Sequence, residues 1–157
     1  MSSTIAVSVG VRVRLLARTS VLTLLTFVSA GALSDDGLRL QEAWIRLLPG
    51  DLPLGGYFTL TNDGKAPVRL VGAESDAFEG IMMHESIQEG GSARMQHVNA
   101  VEVLPGDTLR FAPGGYHLML MKRRGPVNLG DRLPITLMFE DGRQVTAEFT
   151  VRHPASD

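Results

Sequence analysis

Apolar and polar positions alternate with a period of two through most of the chain beyond residue 34, and turn residues cut the alternation into short runs. The runs are "LRLQEAWIRLL" (38–48), "GGYFTLTN" (55–62), "PVRLVGAES" (67–75), "GIMMHESIQ" (80–88), "ARMQHV" (93–98), "DTLRFA" (107–112), "GGYHLMLM" (114–121), "DRLPITLMFE" (131–140) and "RQVTAEFTVR" (143–152). Pro49-Gly50-Asp51, Asn62-Asp63-Gly64, Glu89-Gly90-Gly91-Ser92, Pro105-Gly106, Pro113-Gly114-Gly115 and Asp141-Gly142 separate them. No helical period is sustained. Many short strands at this spacing predict an all-β fold, an antiparallel β-sandwich of two sheets.

Residues 1–34 differ in kind. Arg12, Arg14 and Arg18 precede the apolar run "VLTLLTFV" (21–28), and small residues, "SAGALS", follow it. A basic region, a short apolar core and an Ala30-x-Ala32 or Ala32-x-Ser34 cleavage site describe a secretory signal peptide. The run is shorter than the roughly 20 residues that span a bilayer. Cleavage after Ser34 would leave 157 − 34 = 123 residues, one β-sandwich domain over 35–157. The leader holds three of the 15 basic residues and none of the 17 acidic ones, so the remaining charge is 12 − 17 = −5. That acidity argues against nucleic acid. The chain has no cysteine, which excludes thiolate catalysis, thiolate zinc sites and the cysteine ligand of a blue-copper centre.

The candidate chemistry lies between residues 82 and 121, where three of the four histidines and five of the seven methionines fall. Side chains two apart on a strand share a face, so Met82 with His84, Met95 with His97, and His117 with Met119 and Met121 each point one way. Thioethers are soft, neutral donors that suit neither Mg²⁺ nor Ca²⁺. Imidazole suits copper or zinc. Without thiolates, a set of two imidazoles and two thioethers fits a monovalent soft ion, Cu(I), better than Zn²⁺ or tetragonal Cu(II).

His84 is followed by ten residues and Met95, then by 21 residues and His117, then by Leu118 and Met119. In this spacing the sequence resembles the periplasmic PCu(A)C copper chaperones, whose signature reads H-(M)-x10-M-x21-H-x-M. From this composition the spaced quartet would arise by chance roughly 2 times in 10,000, unlike a lone short motif. "EAWIR", "GGYFTLTN", "RLVGAES" and "PGGYHLMLM" also look like the family's framework, and the resemblance covers about residues 38–151. It implies a cupredoxin-like or immunoglobulin-like sandwich, monomeric and periplasmic. In such a protein His84, Met95, His117 and Met119 hold one Cu(I) for delivery to copper sites of cytochrome c oxidase. Two departures stand out: Glu85, not Met, follows His84, and no His- and Met-rich tail follows His153.

Other residues have plainer readings. Met83 and Met138 read as packing, as does Met121, which shares the face of Met119. Met82 is on the parity of His84, and His97 reads as a solvated or supporting neighbour. Trp44, Tyr57 and Phe58 read as core, and Glu85 as a solvated carboxylate. No paired carboxylates or Ser/His/Asp spacing supports an enzyme. The competing function is a metal-free sandwich serving as an interaction or assembly module, its methionines being core.

Overall fold

The computed structural model describes residues 37–89 and 91–153, so the expected leader lies outside the described residues. Among the described residues every regular element is a strand. These are β1 (Leu38–Arg46), β2 (Leu54–Asn62), β3 (Val68–Glu74), β4 (Phe78–Glu89), β5 (Ser92–His97), β6 (Val101–Val103), β7 (Thr108–Phe111), β8 (Tyr116–Arg123), β9 (Arg132–Phe139) and β10 (Gln144–Arg152). The all-β expectation holds. The hydrogen-bonded order runs β5-β4-β8-β7-β2-β1-β10-β9-β3-β6, with β8 also paired to β2. β3 and β4 lie far apart in that order yet touch, so the sheet folds over on itself, and the apolar faces of both halves meet in one core.

That core follows the alternation. Leu118 and Leu120 of β8, Leu60 of β2, Ile135 and Leu137 of β9 and Phe149 of β10 are all sealed from solvent, and Met83 joins them from β4. Phe58 stacks on Phe111 at 4.4 Å and meets Phe149 edge-on at 6.0 Å, the geometries that aromatic quadrupoles favour.

Three features differ from the expectation. The hydrogen-bonded order runs continuously across the sandwich rather than splitting into two sheets, and β1–β10 and β7–β8 pair in parallel within an otherwise antiparallel arrangement. The three-residue strand β6 was not anticipated. Trp44 is not core: β1 slips by one residue against β2 between Gln41 and Trp44, and Glu42 takes a φ of 52°. The extra residue resets the alternation, as a bulge does. Ile45 therefore faces the core, while Trp44 lies against Tyr57 at 4.6 Å under the guanidinium groups of Arg46 and Arg152.

Asn62, at the end of β2, is the fully buried polar residue of this frame. Its Nδ2 donates to the carbonyls of Ala66 (2.8 Å) and Val103 (3.0 Å), and its Oδ1 accepts from the Gly64 N–H (3.0 Å). One side chain thus closes the turn after β2 and ties it to β6. Asn62→Ala leaves those buried groups without partners, at a cost of about 2–4 kcal/mol. Urea denaturation at neutral pH measures it; an unchanged midpoint would show that the turn is held by other means.

Candidate metal centre

β4 runs between β5 and β8, and its pairing to both decides which side chains meet. Against β8, Met83 pairs with Leu118 and Ile81 with Leu120. Burying that set fixes the register, because a slip of one residue would carry it to the other face. The opposite set is then aligned too: His84 is directly across from His117, and Met82 from Met119. Against β5, His84 faces His97 and Ser86 faces Met95. On its other side β8 pairs with β2, Gly55 with Met119 and Gly56 with Leu118, and the lack of a side chain on Gly56 allows the close approach. A Cβ on Gly56 would come within 3.1 Å of the Leu118 Cβ.

Exposure rises across this face from β8 to β5. His117 is 9% exposed, His84 and Met119 are partly buried, Met82 is 46% exposed and Met95 64%. The His84 ring stands nearly perpendicular to both neighbours, its centroid 5.8 Å from that of His117 and 5.6 Å from that of His97. His117 Nδ1 lies 3.1 Å from the Gly115 carbonyl. A carbonyl can only accept, so Nδ1 carries the proton and Nε2 keeps a lone pair free for a ligand. His84 Nδ1 is sealed from solvent without a hydrogen-bond partner. Such a nitrogen is costly to leave unmatched, and its commonest explanations include an ion.

The structure therefore gathers His84, His117 and Met119 on adjacent strands. Met95 sits one strand further out, opposite Ser86 and diagonal to His84, a relation that spans about 7–8 Å. Met82 is drawn in beside Met119. Met83 is core, Met121 is partly buried across from Gly80, and Glu85 pairs with Tyr116 on the other parity, away from the donors. Among the described residues no three His, Asp or Glu side chains converge on one point. A site with three or more protein ligands on this face therefore draws on thioethers. The direct opposition of His97 to His84 is the feature that strand parity alone misses. Its signal was present: the sequence marks a turn after Glu89, and with Glu89 facing Ser92, counting back from there sets His84 against His97.

The pKa of His84 is lowered from its ordinary 6.5, first by burial and then by the positive charge that His117 and His97 can carry. A lowered histidine pKa has two consequences. The neutral imidazole a metal needs persists to lower pH than in a free histidine. Conversely, at pH below about 6.5 the unfolded chain takes up this proton before the folded one does, so stability falls with acidification there and is unaffected above it. The metal-free protein should lose less stability between pH 7 and pH 5 as His84→Gln than as wild type. Parallel slopes in pH-dependent denaturation would remove His84 as the cause.

Comparison with known proteins adds the following. The family described as LpqE-like lipoprotein matches residues 38–151. Protein Lxx21020 of Leifsonia xyli subsp. xyli is 33% identical over 108 residues, 68% of this chain and 64% of that one. RP573 of Rickettsia prowazekii (strain Madrid E) is 35% identical over 89 residues, 56% of this chain and 49% of that one. The chain thus spans less than two thirds of the length of either relative. Among solved structures, the copper-bound PCuAC domain of PmoF2 superposes with a TM-score of 0.63 at 25% identity, over 75% of this chain and 94% of that domain. The apo form of DR1885 from Deinococcus radiodurans gives 0.59 at 28% identity, over 98% and 97%. Its CuI form gives 0.56 at 30%, over 80% and 83%.

Proposed function

This chain belongs to the LpqE-like family and has the fold of PCuAC domains; on that premise we propose that it is an exported Cu(I) metallochaperone. The observation that carries this reading is the meeting of His84, His117 and Met119 on β4 and β8, with the sealed, unpartnered His84 Nδ1 among them. Copper is the cargo. His84 and His117 supply neutral imidazole nitrogens, and Met119 and Met95 supply thioether sulfurs. The four add no charge, so a monovalent ion keeps its single charge in the site, and softness favours Cu(I) over Zn²⁺ or Mg²⁺.

The gradient of exposure gives the release step. His117 and Met119 hold the inner side, while Met95 stands largely in solvent on the edge strand β5. A partner's donor can replace Met95 first, leaving the ion held by the remaining ligands until the exchange completes. Thioether donors also avoid the disulfide chemistry that would disable thiols in an oxidising compartment. Residues 1–34 serve as the export signal and 35–157 as one copper-binding domain, acting as a monomer in the periplasm. These 157 residues contain no cysteine that could carry a lipid. The recipients are the copper sites of cytochrome c oxidase during its assembly. No catalytic step is assigned.

Competition with a Cu(I)-specific chromogenic chelator under anaerobic, reducing conditions tests this. Wild type should hold one Cu(I) per chain, and His84→Ala/Met119→Ala should lose at least ~100-fold in affinity. Met119→Ala alone should weaken Cu(I) more than Cu(II), because it removes a soft donor. No competition by wild type would leave the metal-free interaction module as the better reading.

A further inference from the structure

His84 is shared between two imidazole pairs that one ion cannot serve together. An imidazole nitrogen holds its metal at about 2.0 Å, so two rings on one ion keep their centroids within about 6 Å. The inner pair, His84–His117, and the outer pair, His84–His97, both meet this at 5.8 and 5.6 Å. His97 and His117 lie on strands flanking β4 on opposite sides. Two strand spacings put their Cα atoms roughly 9–10 Å apart, and among the described residues no three histidines converge. An ion engages His84 with one neighbour or with the other.

The two pairs differ in chemistry. The inner pair is flanked by Met119 and, across from it, Met82, and His117 is buried: less open to water and sulfur-rich. The outer pair lies between β4 and the edge strand β5, where His97 is exposed and nothing in the sheet order lies beyond. Met95, two residues from His97 on the same face of β5, stands beside it largely in solvent, and the remaining coordination positions are open to water. Two imidazoles, their rings perpendicular here, with water oxygens beside them are a harder N and O set of the kind divalent copper prefers. Directly opposed positions on antiparallel strands also place the two Cβ atoms about 4.5–5.5 Å apart, a span two imidazoles can chelate across.

We propose that His84 and His97 form a second, solvent-facing copper station selective for Cu(II), sharing His84 with the inner Cu(I) station and occupied in alternation with it. This rests on the metallochaperone reading for its inner station only. Each station binds its own oxidation state, and no electron transfer between them is invoked.

The protein would be loaded with one equivalent of ⁶³Cu(II) and examined by pulsed EPR, with Cu(II) affinity measured by glycine competition and Cu(I) affinity by the chromogenic chelator. In wild type, Cu(II) should couple to two imidazoles. His97→Ala, a change at an exposed edge position, should couple to one and lose at least ~10-fold in Cu(II) affinity while Cu(I) affinity stays within ~3-fold. Unchanged Cu(II) affinity in His97→Ala would overturn the outer station. Equal losses for both oxidation states would overturn it as well, making His97 a ligand of a single common site. Cu(II) binding that depends on His97 in a protein that fails to hold Cu(I) would uphold the outer station and sink the Cu(I) reading.

Discussion

The register of β4 against β8 is the constraint on which the candidate site depends. It is set from behind, by Met83, Leu118 and Leu120, which are buried. None of these side chains carries chemistry. Their burial nonetheless decides that His84 looks across at His117 and Met82 at Met119, because pleating ties the two faces of a strand together. The polar face is thus aligned by the hydrophobic effect acting on the opposite one. β2 contributes from the flank: Gly56 lets β8 pack closely without a Cβ intruding on Leu118.

The site so aligned is graded rather than enclosed. A buried histidine bonded to its neighbouring carbonyl stands at one side, a half-buried histidine with a sealed nitrogen in the middle, and a largely exposed thioether at the other. In the proposed chaperone role, retention and release ask for opposite things, and a gradient of exposure would serve both. Deep burial of every donor would slow exchange. Full exposure would surrender the ion to any competitor.

Much of this was legible in the sequence, for physical reasons. Period-two alternation revealed nine of the strands, because one face of each is buried and Gly, Pro and Asn-Asp-Gly turns punctuate them. Alternation could not reveal β6, since Val101–Val103 is too short to establish a period. Nor could it reveal the parallel pairings of β1 with β10 and of β7 with β8, because partner choice between distant strands leaves no mark on either strand alone. Trp44 was misassigned to the core because a bulge near Glu42 shifts the alternation by one, and no residue type there announces it. At the site, spacing brought His84, Met95, His117 and Met119 to notice together. It did not show that His84 is the hub. That fact is a property of two registers at once, and only one of them, through Gly90-Gly91, could be counted from the chain.

All the donors come from β4, β5 and β8, which are consecutive at one end of the strand order, whereas β1, β3, β6, β9 and β10 supply core and none of the candidate ligands. Asn62 and the aromatic stack of Phe58, Phe111 and Phe149 lie outside those three strands. If the candidate residues hold a metal as proposed, folding strength and metal preference are encoded in largely separate stretches of the gene. Selection can retune the ion, its oxidation state or its rate of departure by substitutions along one hairpin and one neighbouring strand, while the rest of the sandwich drifts under a different pressure.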